Sequence, residues 1–374
     1  MTRLVCSIII LLLVSILRPL PAGCDPISIV AVGDLLLGGS ATPQLKKNGF
    51  SDPFSPTLVH LQQADIAMAN LEAPLTTAKK PVADKTYTFK VSPAAAKDIK
   101  KAGFDLLTLA NNHIGDFGPK GVIETVETLE QEQLAYAGAG RNLAEARRAS
   151  TIIVDGKKIA FLAYSNTFPK SFYAGKKKAG SAPGYMSRVA ADIKRTHAEA
   201  DYVIVSFHWG AEKMTAPKDY QKTLGHLAID NGACVVIGHH PHVLQGAELY
   251  NGGVIYYSLG NFAFGSYSRN AVTGGMARVH LDNGKLEKAE ILPLNVFNYE
   301  VHFRPRPLDR GPAFAFAREF NNLSEPLETR LVKQPDLFWG IAAQENRPEA
   351  VAEREELKLV GRQDGGREKN RTNL

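Results

Sequence analysis

Cysteine is scarce in this chain: three in 374 residues, Cys6, Cys24 and Cys234. That number excludes a disulfide framework and a cysteine-rich metal site. Cys234 sits inside the apolar run ACVVIG and reads as a small buried hydrophobe. A dominant charge is also missing. The formal net charge is +6 at pH 7, and the excess is spread along the chain. Such a weak, diffuse surplus argues against nucleic acid as a partner, and the lone KKK at 176–178 reads as a solvated loop. No internal period of solenoid length is present either. What remains is an ordinary globular composition, 44% hydrophobic and 22% charged, in a chain long enough for a large core.

Residues 1–24, MTRLVCSIIILLLVSILRPLPAGC, read as an export signal. Arg3 supplies the positive start and residues 4–17 an apolar stretch of secretory length, which Arg18 cuts short of a membrane span. Ala22-Gly23-Cys24 resembles a bacterial lipobox, although Leu20 stands one place too far from the cysteine and Pro21 occupies the usual position. The expectation is an exported protein, periplasmic or at the cell surface, with Cys24 as the candidate point of lipid attachment. Removal of the leader would leave a charge of about +4.

The chemistry-bearing residues follow one design. Each stands where an apolar, strand-like run ends. ISIVAVGDLLLGG ends in Gly33-Asp34, and ADIAMANLEAPLT brings Asn70 and Glu72 to its exit. DLLTLANNHIGDFG carries Asn111, Asn112, His113 and Asp116, and DYVIVSFHWGAE carries His208 and Glu212. ACVVIGHHPH ends in His239, His240 and His242. GVIYYSLGNFAFG, read as one continuous strand over 253–265, carries Asn261. Taken singly, an Asp in a turn or a His at a strand end is ordinary structure. Together, imidazoles, amides and carboxylates at successive strand exits describe a metal site at the edge of an open α/β sheet. Helices are expected over 119–133 and 188–199, and over 219–232 with Asp219 as N-cap. Hairpins are expected at Asp155-Gly156 and at Asp282-Asn283-Gly284. Residues 165–187, rich in Lys, Gly, Ser and Pro, read as a long loop near the strand ends, a lid or rim.

In order, GDLLLGG, NLEAPLT, LANNHIGDFG, FHWGAE, GHHPHVLQG and YSLGNF resemble the CapA family of poly-γ-glutamate capsule synthesis proteins, over roughly residues 27–292. That family is similar to the calcineurin-like metallophosphoesterases. The resemblance implies an α/β fold, a metallophosphatase-like α/β/β/α sandwich with mixed sheets. It implies Asp34, Glu72, Asn112, His208, His240 and His242 as metal ligands and His113 as the catalytic acid. Asn70, Asn111, Asp116, Glu212, His239 and Asn261 are then supporting or substrate-facing positions. Two features depart from the superfamily pattern: Leu36 stands where an Asp-x-His motif has its imidazole, and Glu72 replaces the bridging aspartate.

The domain plan that follows is a leader over 1–24, a metallophosphatase-like domain over 25–300, an extension over 301–343 and a charged, disordered tail over 344–374. The cofactor implied is a divalent transition metal, one or two ions, with Mn, Fe and Zn all suited to the donors. The partners implied are an anionic polymer such as poly-γ-glutamate, or a phosphoester substrate, and a membrane-bound synthesis complex. Two functions stay open at this point. One is capsule-polymer synthesis, export or anchoring; the other is an exported metal-dependent phosphoesterase or hydrolase unrelated to capsule.

Overall fold

The computed structural model describes residues 25–344 except Asp84. The leader with Cys24 and the tail beyond 344 lie outside the described residues. Alternation within the strands builds the architecture. Along Ile27–Leu36, Val30 and Val32 face one way and Ile29 and Ala31 the other, and both faces are buried. Along Tyr202–His208, Val203, Val205 and Phe207 point away from Tyr202 and Ile204 in the same manner. A strand buried on both faces needs a layer on each side, since successive side chains point to opposite faces.

Those layers are two sheets packed face to face with helices outside. The first sheet runs, in spatial order, 329–333, 339–343, 285–295, 273–282, 27–36, 66–71, 106–108 and 135–137. Its last four strands are parallel, whereas 273–282 and 285–295 form an antiparallel hairpin turning at Asp282-Asn283-Gly284. The second sheet runs 244–250, 253–259, 235–239, 202–208, 157–165 and 150–154, with its four central strands parallel. Between the sheets lie Ile29, Met68 and Leu106 from one and Phe161, Ile204, Ile237 and Tyr256 from the other. Outside the first sheet, Leu45, Ile99, Val122 and Leu129 of the helices cover Val30 and Leu107. Outside the second, Val189 and Ile193 of helix Met186–His197 and Leu224 and Ala228 of helix Asp219–Asp230 cover Val205 and Val236. The result is the α/β/β/α sandwich with mixed sheets. Each fully buried Val, Leu, Ile or Phe contributes about 1.5–3 kcal/mol by leaving water.

Residues 301–343 join this body. Helix Arg310–Ser324 inserts Phe316 and Phe320 into the inter-sheet core, and Trp339–Ala343 pairs with 285–295. Among the described residues no helix is long and apolar enough to cross a membrane.

Two local expectations need correction. The run over 253–265 is two strands rather than one. Gly253–Leu259 belongs to the second sheet, while Asn261–Phe264 pairs with Ile27–Leu36 in the first. Gly260, at φ +68°, makes the crossing, a conformation that suits glycine. Helix 219–230 has Lys218, not Asp219, at its N-cap position, and the Lys218 N–H donates to Gln221 Oε1 at 2.9 Å. The 165–187 loop is tied down at several points. Gly180–Ser181 pairs with Ala139–Gly140, Tyr173 Oη donates to the Thr167 carbonyl, and Phe172 packs so close to Gly115 that a Cβ there would lie 2.4 Å from its ring.

The sheet crossing is tight. Asp34 N–H donates to the Gly260 carbonyl at 3.0 Å, and a Cβ on Gly33 would stand 2.1 Å from that same oxygen. Gly33→Ala is therefore expected to destabilise by about 1–3 kcal/mol, the usual cost of overpacking against rigid neighbours. Gly284→Ala, in open space at φ +75°, should cost only the left-handed penalty of about 1–2 kcal/mol. Urea unfolding reads both, and only the first change should also disturb the site described next.

Candidate metal centre

All the polar strand exits open at one end of the sandwich, because the parallel strands of both sheets finish there. Ile27–Leu36 delivers Asp34, Ile66–Leu71 delivers Asn70 and Glu72, and Leu106–Thr108 leads to Asn111, Asn112 and His113. From the second sheet Tyr202–His208 delivers His208, and Val235–His239 delivers His239, His240 and His242. The carboxyl ends of parallel strands are the general ligand-binding edge of open α/β sheets. Here two such edges face each other, so donors from both sheets meet across the seam.

Glu72 occupies the middle. Its Oε1 lies 3.4 Å from His208 Nε2 and 3.7 Å from His242 Nε2, yet neither carboxylate oxygen makes a hydrogen bond although both are buried. Asp34 is equally buried: Oδ2 lies 3.2 Å from His242 Nδ1 and accepts from the His240 N–H at 3.2 Å. His240 Nδ1 is buried without a partner. Donor atoms of Asp34, Glu72 and His242 lie within 4.8 Å of one another, and so do those of Glu72, His208 and His240. Asn112 Oδ1 stands 2.9 Å from His208 Nε2 and adds an amide oxygen to the second group. The two groups share Glu72, so the arrangement can hold one cation or a bridged pair.

Supporting residues hold these donors in place. Asn70 Nδ2 donates to Asp34 Oδ1 at 2.9 Å and lies 3.3 Å from His208 Nδ1. Asn111 donates to Asn70 Oδ1 and to the Leu71 carbonyl, while its own Oδ1 accepts from the His113 and Ile114 N–H groups. Asn261 Oδ1 is 2.9 Å from His242 Nδ1. His239 Nδ1 is 3.1 Å from Asp34 Oδ1 but off the line of a hydrogen bond, so that contact is electrostatic. His240 and His242 both have positive φ, 96° and 58°. For residues other than glycine this backbone costs about 1–3 kcal/mol and persists where surrounding contacts enforce it. It lets Pro241 lie between two imidazoles that both reach the seam.

His113 sits at one margin, its Nδ1 2.8 Å from Asp116 Oδ2. Lys85 was not foreseen. Its ammonium donates to the Asn112 carbonyl and to Asp116, and lies 2.9 Å from His113 Nδ1. The stretch DKTYTFK offered no signal for this, since a lysine in a polar loop looks alike whether it ends in solvent or in a cleft. Burial, more than the pull of Asp116, keeps the His113 imidazole below its ordinary value. Glu212 is exposed at the mouth, with a carboxylate oxygen near His240 and His242.

The charge balance is strained. Burial alone would raise the Asp34 carboxyl, but the His239 and His242 imidazoles hold it well below the carboxylate range. Burial, and then the Asp34 charge, push Glu72 well above it. Burial, and then His240, lower His208; burial, and then His242, take His240 down to about 3. Burial works against a charge on His242, but Glu72 and Asp34 raise it to about 10. Ionising Glu72 beside Asp34 would set two buried carboxylates against one imidazolium, with two neutral imidazoles beside them. A divalent cation would relieve this conflict and would satisfy the unpartnered oxygens of Glu72 and Nδ1 of His240, so the residues present fit such an ion.

The strand-end cluster places side chains that could hold a metal ion at the seam of a four-layer α/β/β/α sandwich. The family model described as "Bacterial capsule synthesis protein PGA_cap" matches residues 28–266, and the chain belongs to that family. It is 30% identical over 279 residues to the capsule biosynthesis protein CapA of Bacillus anthracis, covering 73% of this chain and 68% of that one. It is 32% identical over 274 residues to the PGA biosynthesis protein CapA of Bacillus subtilis, covering 73% and 72%. Among solved structures, an NAD nucleotidase of Haemophilus influenzae overlaps with a TM-score of 0.43 at 12% identity, over 78% of this chain and 62% of that chain. A 5'-nucleotidase precursor of Thermus thermophilus overlaps with the same score and identity, over 80% and 58%.

Because a bound cation must displace protons from His242 and Glu72, both raised, metal uptake should release protons and strengthen as pH rises from 6 to 8. Calorimetric titration of Mn(II) in two buffers of different ionisation heat measures the protons released. An uptake that is flat with pH and releases none would contradict this charge balance.

Proposed function

We propose that this chain handles an anionic polymer of the poly-γ-glutamate type in the cell envelope, in its synthesis, export or anchoring, through a metal centre at the seam of the two sheets. The observation that carries the reading is the buried Glu72 carboxylate, unpaired by hydrogen bonds and shared by two groups of metal-ligating side chains. Family membership and the names of the CapA relatives support the choice of polymer.

In this proposal Asp34, Glu72 and His242 hold one position and Glu72, Asn112, His208 and His240 the other, with Mn, Fe or Zn as the ion. When bound, the ion supplies Lewis-acid polarisation and positive charge for an anionic group. The chain's own residues do the rest. Asn70, Asn111 and Asn261 orient the ligands. Lys85 and Asp116 hold His113 at the edge of the centre, where its imidazole can pass a proton to a departing group. The polymer's carboxylates approach over a modestly basic rim that includes Lys176 and Lys177, both exposed. Export by residues 1–24, a lipid on Cys24 and a membrane-bound synthesis complex as partner complete the reading.

A second reading, hydrolysis of the polymer or of a phosphoester independent of capsule, is favoured by one observation, the His113–Asp116 pair beside the centre.

One set of measurements addresses both. Fluorescently labelled poly-γ-glutamate should bind the Mn-loaded protein, more weakly at 0.3 M than at 0.05 M salt as charge screening predicts. Binding should be lost in the His208→Ala, His240→Ala double variant. Polymer binding that survives both metal removal and the double variant would sink the proposal. If the polymer is shortened or a phosphoester is hydrolysed, His113→Ala should slow turnover by roughly 10²–10⁴-fold with polymer affinity retained. The absence of any turnover under metal-replete conditions would remove the second reading alone.

A further inference from the structure

Asp34, Glu72 and His242 provide three donors for one position of the centre, and transition metals take four or more. The flank beyond Asp34 at Leu36 supplies none. Leu36, two residues beyond Asp34, is fully buried and pairs across to Phe264, whose ring lies 4.8 Å from that of His242. That side is hydrocarbon.

The solvent-facing flank is different. Glu212 has a carboxylate oxygen within 4.8 Å of nitrogen atoms on both His240 and His242. His240 is itself nine-tenths buried, and its Nδ1 has no hydrogen-bond partner. The segment carrying Glu212 is fixed across the His-Pro-His run. Lys213 N–H donates to the Pro241 carbonyl at 2.8 Å, and Gln245 Nε2 donates to the Met214 and Ala216 carbonyls at 2.9 and 3.2 Å. Its start is set by Gly210, at φ +85°, whose N–H donates to Tyr220 Oη at 2.6 Å. An exposed glutamate on a loop is ordinary; one placed within 4.8 Å of nitrogens on two imidazoles of a ligand-deficient centre is not.

We propose that Glu212 is a metal ligand of this centre, a second carboxylate that reaches both positions from the solvent side as Glu72 does from the interior. The inference rests on the metal reading of the site given above. It offsets the donor missing at Leu36 and makes the outermost ligand a carboxylate that solvent can reach.

The test is metal binding itself, read by equilibrium dialysis of the purified protein against graded Mn(II) and Zn(II) with elemental analysis of the bound ion. Glu212→Gln keeps shape and removes charge at an exposed position, so the metal-free variant should unfold thermally as the unaltered protein does. The expected result is an affinity at least about tenfold weaker, the scale on which even supporting residues of metal sites act. Equal affinity and stoichiometry in the two proteins would overturn the assignment while leaving the metal centre in place. Glu212→Gln that binds metal normally but loses labelled poly-γ-glutamate would likewise overturn it, and would leave the polymer proposal standing. If the unaltered protein takes up neither ion, the metal reading and this inference fall together.

Discussion

Two carboxylates, Asp34 and Glu72, lie out of solvent within one small volume, and the rest of the structure can be understood as what makes that tolerable. Burying one charge costs several kcal/mol, and burying two of the same sign costs more. Asp34 is compensated by Asn70, the His240 N–H and the His239 and His242 imidazoles. Glu72 is compensated by nothing that forms a hydrogen bond. The group lies between His208 and His242, where a positive charge would offset it.

The seam explains how such a cluster can be built at all. A single sheet presents its strand ends in a row, so donors from neighbouring strands fan apart. With two sheets packed face to face, the row from Asp34, Glu72 and Asn112 is met by the row from His208, His240 and His242. The crossing at Gly260 locks the rows in register, since its carbonyl accepts from Asp34 while Asn261, the next residue, orients His242. Hydrophobic packing between the sheets is therefore also what fixes the spacing of the polar ends.

Much of the site could be read along the chain. Asp34, Glu72, Asn112, His208, His240 and His242 each follow an apolar run, and a costly residue at the end of a buried strand is a local pattern. The structure brings all of them to one place together with Asn70, Asn111, Asp116, His239 and Asn261. Lys85 escaped because its partners, Asn112, His113 and Asp116, lie some thirty residues away. The break at Gly260 escaped because GVIYYSLGNFAFG is apolar throughout, and periodicity carries no mark of which sheet a strand joins. Residue type favours Asp219 as the cap, while the chain enters the helix one residue earlier, with Lys218 at that position.

The sequence by itself determined the alternation that makes strands buried on both faces, the helices that cover them and the residue types at the strand exits. These depend on side-chain chemistry and short-range spacing. Tertiary structure alone decided that Gly260 passes the chain between the two sheets and that Lys85 turns toward the same cluster. Those outcomes depend on contacts between residues tens to hundreds of positions apart, and the register that joins such residues is set by packing.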